Sequence, residues 1–201
     1  GTSRTPFKRL DIPEADGVDK VAAMKGTYRE LGLDCLFMLG GNGSTKTANR
    51  LAQEGLNVIA LPKTIDNDTW GTDITFGFTS AVEIATKCID DIHTTASSHG
   101  RVFVIEIMGH KVGWIPLYSA VAGGADVCLI PEIPYEMDNV IGAIDRRMQS
   151  GARFTIIVVA EGAISREEAA LSKKEYKKLV AARTSPSIAY DIAREVEARC
   201  G

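Results

Sequence analysis

Short apolar runs alternate along this chain with longer stretches in which apolar positions recur every three or four residues. The runs at 35–39 (CLFML), 57–61 (NVIAL), 102–107 (VFVIEI), 127–130 (VCLI) and 154–160 (FTIIVVA) predict strands. Most are apolar on both faces, as strands covered by helices on each side must be. The segments at 19–31, 44–54, 79–97, 112–122 and 138–149 predict helices, several closed by a glycine. Strand and helix in alternation predict an α/β architecture with a doubly wound, mostly parallel sheet. Residues 165–200 carry no strand signal, and their Lys, Glu and Arg at helical spacing predict a solvated helical face broken at Thr184-Ser185-Pro186. Near Gly77 a Gly- and Thr-containing segment gives way to a long helix, which places a boundary between parts 1–77 and 78–201.

Composition narrows the class without changing this picture. The 201 residues are 45% apolar and 24% charged, which excludes a disordered tail or a fibre. A net charge of -3 gives no general positive field for nucleic acid or anionic lipid, although a local anion site stays open. The aromatic residues show no stacking pattern suited to nucleic acid. Cys35, Cys88, Cys128 and Cys200 stand far apart and are expected to be reduced thiols. No apolar run reaches the ~18 residues of a membrane span, and the first residues lack a signal-peptide core, so the expected location is the cytoplasm. His93 and His99 are expected at helix ends or on the surface.

Candidate chemistry gathers where predicted strands end. Gly40-Gly41-Asn42-Gly43-Ser44 follows the first strand, where a Gly-rich turn lets backbone amides approach a phosphate and Ser44 can cap the next helix. Taken alone, the turn fits tight backbone geometry equally well. It is neither a P-loop nor a dinucleotide fingerprint. The second strand runs into Pro62-Lys63-Thr64-Ile65-Asp66-Asn67-Asp68, two carboxylates and an ammonium in one turn. Phosphoryl transfer uses such groups: an Asp to take the proton of an attacking hydroxyl, a Lys to neutralise phosphate, and a second Asp to help hold Mg²⁺. Another strand, introduced by Arg101, ends at Met108-Gly109-His110, and the last ends at Glu161. Arg101 could pair with a phosphate or a surface carboxylate, and Glu161 could hold sugar hydroxyls or cap a helix. All these positions are expected at the carboxyl ends of strands, where a parallel sheet assembles its site.

In order and spacing, Gly40-Gly41-Asn42-Gly43-Ser44, Pro62-Lys63-Thr64-Ile65-Asp66-Asn67-Asp68, Ser98-His99-Gly100-Arg101, Val104-Ile105-Glu106-Ile107-Met108-Gly109-His110, Ala122-Gly123-Gly124-Ala125 and Ala160-Glu161-Gly162 resemble the 6-phosphofructokinase family. The resemblance implies Rossmann-like sheets in two lobes: residues 1–77 part of a phosphoryl-donor lobe, 78–201 part of a sugar-phosphate lobe. It implies transfer of a phosphoryl group to the C1 hydroxyl of fructose 6-phosphate in glycolysis, with Asp66 as base and Lys63 and Gly43 beside it at the transfer step. Thr64 and Ile65 would line the sugar site with Asp66, and Met108, Gly109, His110 and Glu161 match its other contacts. Arg101 resembles the arginine that reaches the sugar phosphate of a neighbouring subunit, which implies a homo-oligomer. Arg4, Gly41, Asn42, Gly43 and Ser44 match positions around the donor, with Mg²⁺ as cofactor at Asn42 and Asp68.

The chain departs from the family pattern in three ways. Asn42 replaces a metal-associated Asp, and His110 replaces an Arg, removing a permanent charge and a planar fork of donors. The family's N-terminal Gly-Gly-Asp loop and C-terminal Gln-Arg-Gly-Gly segment are lacking, so the resemblance implies a fold incomplete at both ends and inactive as a fragment. Gly43 resembles enzymes that use ATP, and Lys63 those that use pyrophosphate; the combination favours ATP. The alternatives are a pyrophosphate-dependent enzyme, a lipid or dinucleotide kinase sharing only the Gly-rich loop, and a non-catalytic sugar-phosphate-binding paralogue.

Overall fold

A computed structural model describes residues 10, 12–13 and 16–200. The chain divides into two compact units, Gly1–Phe76 and Gly77–Gly201. Gly77 at the division has φ 105°, a backbone state open to glycine and strained for other residues.

In the first unit, α1 (Lys20–Glu30) is capped by Asp19, whose carboxylate accepts from the amides of Val21 and Ala22. Strand β1 (Leu36–Gly40) pairs in parallel with β2 (Val58–Thr64), with Leu36 opposite Val58 and Gly40 opposite Pro62. The short β3 (Phe76–Gly77) flanks β2 on its other side. Between β1 and β2, α2 (Asn42–Gln53) buries Thr47, Ala48 and Leu51. A Lys25–Glu54 ion pair of 3.0 Å ties α1 to the end of α2.

The second unit holds a second parallel three-stranded sheet, β4 (Val102–Ile107), β6 (Thr155–Ala160) and β5 (Val127–Leu129), in the order β4-β6-β5. Every residue of β6 is buried, as its central place demands, and the run of Ile and Val there is the apolar-on-both-faces signature read from the sequence. Helices α3 (Phe78–His99), α4 (Trp114–Ala122) and α5 (Met137–Gln149) alternate with these strands. The polar tail forms α6 (Arg166–Ala169), α7 (Lys173–Ala182) and α8 (Ile188–Cys200). Ser165 and Ser172 each close a capping box with the Glu three residues on, so α6 and α7 begin where sequence chemistry puts them. Helix α8 buries Ile188, Ile192 and Val196 in the core with Ile144, Ile157 and Val159. Each such side chain contributes roughly 1.5 to 3 kcal/mol when fully buried.

Three expectations change. His93 is not at a helix end: it lies inside α3, its Nε2 is 2.7 Å from the Gly123 carbonyl, and its ring stands edge-on to Phe154 at 5.8 Å. Its contacts span three elements, which no local pattern shows. Strand β2 continues through Pro62 to Thr64, although a proline lacks the ladder donor that normally marks a strand interior. Helix α2 starts at Asn42 rather than Ser44. All four cysteines are free, and burial pushes the Cys128 thiol up to about 11.

Candidate active site

Gly41 is the N-cap of α2, extended at φ -83° and ψ -160°, and it has no side chain with which to bond the first-turn amides. The first helical bond runs from the Thr45 amide to the Gly41 carbonyl, so the helix leaves the N–H groups of Asn42, Gly43 and Ser44 without use. A row of unused amides at the positive end of a helix dipole suits a phosphate. Ser44 is therefore no cap; it lies inside the helix, and its Oγ occupies the space where a Cβ on Gly40 would stand. Gly43 differs from Gly40, because a Cβ there would meet nothing within 4 Å. Packing among the described residues gives no reason for a glycine at that exposed position.

The parallel pairing of β1 and β2 brings the second motif beside this turn. A Cβ on Gly41 would lie 3.5 Å from Thr64 Cβ, ordinary contact distance. Thr64 Oγ1 lies 3.4 Å from Asp66 Oδ2 and accepts from the Asp66 amide at 3.2 Å, a local turn that orients the carboxylate. Asp68 Oδ2 accepts from Asn42 Nδ2 at 3.0 Å, linking the motif to the first turn of α2. Ile65 and Asp66 are half-buried in the same turn, and Lys63 is exposed, one residue from Thr64 and so on the other face of β2.

Asn67 organises this loop, a role the sequence motif did not reveal. It has φ 54°, its Oδ1 accepts from the Thr75 amide at 2.9 Å, and its Nδ2 donates to the Asp73 carbonyl at 3.3 Å. Thr75, 2% exposed, donates from Oγ1 to the Thr64 carbonyl at 2.7 Å. The clamp spans the loop between β2 and β3, and it carries Trp70, 97% exposed, on its outside. Asn67→Ala is expected to lose about 2 to 3 kcal/mol, from the left-handed backbone and two hydrogen bonds. Asn67→Gly should lose less, because it keeps the backbone state. Thermal unfolding checks this; an alanine variant that melts with the native protein removes the clamp.

In the second unit, Glu161 Oε1 follows the end of β6 and accepts from the amides of Gly109 (3.0 Å) and His110 (2.5 Å), which follow β4. The register of Ile107 against Ala160 puts these two loops side by side. His110 has φ 54°, and a Cβ on Gly162 would collide with its carbonyl oxygen. Met108 is exposed and Gly109 buried. Arg101 does not join them. It precedes Val102 at the amino end of β4, roughly 20 Å from the carboxyl end at ~3.3 Å per residue, against the expectation that every polar position falls at strand carboxyl ends. Its guanidinium is exposed and has no hydrogen bond or ion pair among the described residues. Arg4 lies outside the described residues.

Among the described residues no group of three His, Cys, Asp or Glu could hold a metal ion. The 3.0 Å bond sets the Asp68 carboxylate beside the Asn42 amide, whose Oδ1 is a second oxygen donor at the first turn of α2. Hard oxygen ligands in so small a number fit Mg²⁺, which is held by one or two carboxylates with substrate phosphates completing its shell.

Residues 1–201 match the phosphofructokinase family. The chain belongs to that family. It is 54% identical over 205 residues to the ATP-dependent 6-phosphofructokinase of Spirochaeta thermophila, covering 100% of this chain and 56% of the relative. It is 55% identical over 166 residues to ATP-dependent 6-phosphofructokinase 3 of Bacteroides thetaiotaomicron, covering 82% of this chain and 49% of the relative. Among solved structures, the fold is similar to phosphofructokinase from Saccharomyces cerevisiae with a TM-score of 0.72 at 32% identity, over 83% of this chain and 24% of that one. It is similar also to the pyrophosphate-dependent phosphofructokinase from Marinobacter aquaeolei, TM-score 0.67 at 26% identity, over 81% of this chain and 45% of that one. The chain spans about half the length of the curated relatives it matches. Among the described residues no helix is long and apolar enough to cross a membrane.

Proposed function

We propose that this protein supplies the donor-binding turn and the base of a 6-phosphofructokinase, which transfers a phosphoryl group from ATP to the C1 hydroxyl of fructose 6-phosphate in cytoplasmic glycolysis. One observation supports this most: the unused amides of Asn42, Gly43 and Ser44 lie beside the turn that holds Asp66 through Thr64. Two relatives named ATP-dependent 6-phosphofructokinase share more than half of the aligned residues. The amides receive donor phosphate oxygens, and Asp66 takes the proton as the C1 oxygen attacks phosphorus. Mg²⁺ held by Asp68 and Asn42 Oδ1 with the donor's phosphates would neutralise charge that builds on them.

The first unit is assigned to the phosphoryl donor and the second to the sugar phosphate. Glu161 Oε1 fixes the Gly109–His110 turn, and its other oxygen is the acceptor offered to a sugar hydroxyl, with Met108 alongside. Arg101, exposed at the far end of β4, fits a ligand supplied to a neighbouring copy in a homo-oligomer.

The test is an assay of the complete polypeptide with fructose 6-phosphate and either ATP or pyrophosphate. Turnover faster with pyrophosphate would reverse the donor assignment; sugar-phosphate binding without turnover would make the protein a non-catalytic paralogue. The open space at Gly43 adds a prediction. Gly43→Asp should lower kcat/KM for ATP by ~10-fold or more and affect pyrophosphate less, because the added side chain fills space toward the bulkier donor. Equal losses with both donors would refute that reason for the glycine.

A further inference from the structure

The loop between β4 and α4 is held by a second carboxylate besides Glu161, and it comes from the far side of the sheet. Glu132 follows the end of β5, and its Oε1 accepts from the Gly113 amide at 2.8 Å. Gly113 is buried, and a Cβ there would lie 2.7 Å from Glu132 Oε2 and 2.5 Å from Ile130 Cβ. The glycine thus leaves the carboxylate room to close on the amide. At the other end of the loop Glu161 bonds the amides of Gly109 and His110, and the Val112 amide closes the turn on the Gly109 carbonyl at 3.0 Å. The two ends bear on each other. A Cβ on Gly109 would lie 2.5 Å from the Val112 carbonyl oxygen and 3.6 Å from Pro116 Cδ, so Gly109 rests against residues that flank Gly113.

We infer that Glu132 is a positioning residue for fructose 6-phosphate: by holding Gly113 it fixes where α4 begins, and through Val112 and Pro116 it sets the place of Gly109 and of Met108 beside it. The inference rests on reading Met108, Gly109 and Glu161 as part of the sugar site. Glu132 touches no substrate in this role, and its reach matters more than its charge. A backbone amide needs an acceptor oxygen at about 2.9 Å, which Gln supplies at the same length and Asp, one carbon shorter, does not. A binding loop whose support is lost keeps its residues but not their precision.

The test compares Glu132→Gln, Glu132→Asp and Glu132→Ala with the native complete polypeptide. Fructose 6-phosphate binding is read by calorimetry, KM and kcat by assay, and the hold on the loop by hydrogen exchange at residues 108–117. The Asp and Ala variants should bind the sugar phosphate about tenfold more weakly and raise its KM to match, with kcat and the KM for ATP within about twofold of native. Glu132→Gln should bind within about twofold of native, because the acceptor is back in place. Exchange at 108–117 should quicken in the Asp and Ala variants while residues 155–160 of β6 keep their native protection. Native sugar binding in the Asp and Ala variants makes Glu132 idle and overturns the inference. A loss as large in Glu132→Gln as in Glu132→Asp, a kcat that falls as far as KM rises, or faster exchange in β6 as well overturns it too, by making Glu132 a charge or a general prop of the fold. If Glu132→Ala does not fold, the Gln and Asp pair decides, and failure of all three to fold overturns the inference. Calorimetry needs no turnover, so an inactive protein leaves the test intact. A native polypeptide that binds no fructose 6-phosphate overturns the sugar-site reading and this inference with it, whereas native binding that Glu132→Asp leaves unmoved overturns the inference alone.

Discussion

Replacing Asp66 with Ala is expected to lower phosphorylation of fructose 6-phosphate by ~10² to 10⁴, the range for a positioned general base. The carboxylate is half-buried, and the hydroxyl of Thr64 reaches both its oxygen and its backbone amide, so its direction is set before any substrate binds. A group that acts only as the alcohol attacks should leave the KM of both substrates nearly unchanged, with the loss confined to kcat. Asp66→Asn keeps the shape and the hydrogen bond but removes the basicity, so its loss should approach that of Ala. Turnover of the Asn variant close to native would take Asp66 out of proton transfer and leave it as part of the loop's scaffold.

Gly162→Ala should damage the second unit more than its single methyl suggests. The new Cβ would collide with the carbonyl oxygen of His110 and lie 3.4 Å from Pro131 Cγ. Backbone does not swing aside as the tip of a long side chain would, and His110 is already in the left-handed region with its amide bound to Glu161. Overpacking of this kind costs about 1 to 3 kcal/mol, some 2 to 4 °C in thermal midpoint for each kcal/mol in a domain of this size. The displaced turn holds Gly109 and Met108, so the KM for fructose 6-phosphate should rise with little change in that for ATP. Gly43→Ala is the control. Its Cβ meets nothing among the described residues, and alanine favours a helix by up to ~1 kcal/mol over glycine, so stability should hold or improve. If the two alanine variants melt alike, crowding against His110 does not explain Gly162.

Much of this organisation is legible in the sequence because periodicity reports local geometry. The run at 154–160 reads as a strand covered on both faces, and β6 is buried throughout. The two polar turns after the first two strands read as neighbours, and the pairing of Gly40 with Pro62 makes them so. What stays hidden depends on pairs distant in the chain. The Asn42–Asp68 bond spans 26 residues, and the two bonds to Glu161 span 52 and 51. No window of ten or fifteen residues contains both partners. Local rules also mislead where one residue serves two purposes: Pro62 resembles the end of a strand, yet β2 carries past it to present Thr64 beside Gly41. Arg101 is misplaced for a simpler reason: it introduces its strand, and grouping it with the residues that close strands set it at the wrong end of the sheet.

The order β4-β6-β5 carries a consequence for biosynthesis. The middle strand comes last in the chain, so when residues 102–129 have left the ribosome neither outer strand has its neighbour. Both wait, with the ladder groups that face β6 unpaired, until residue 160 emerges and a single insertion completes this three-stranded sheet. Truncation just before β6 would leave an aggregation-prone nascent chain, a natural client for chaperones that bind exposed strand edges.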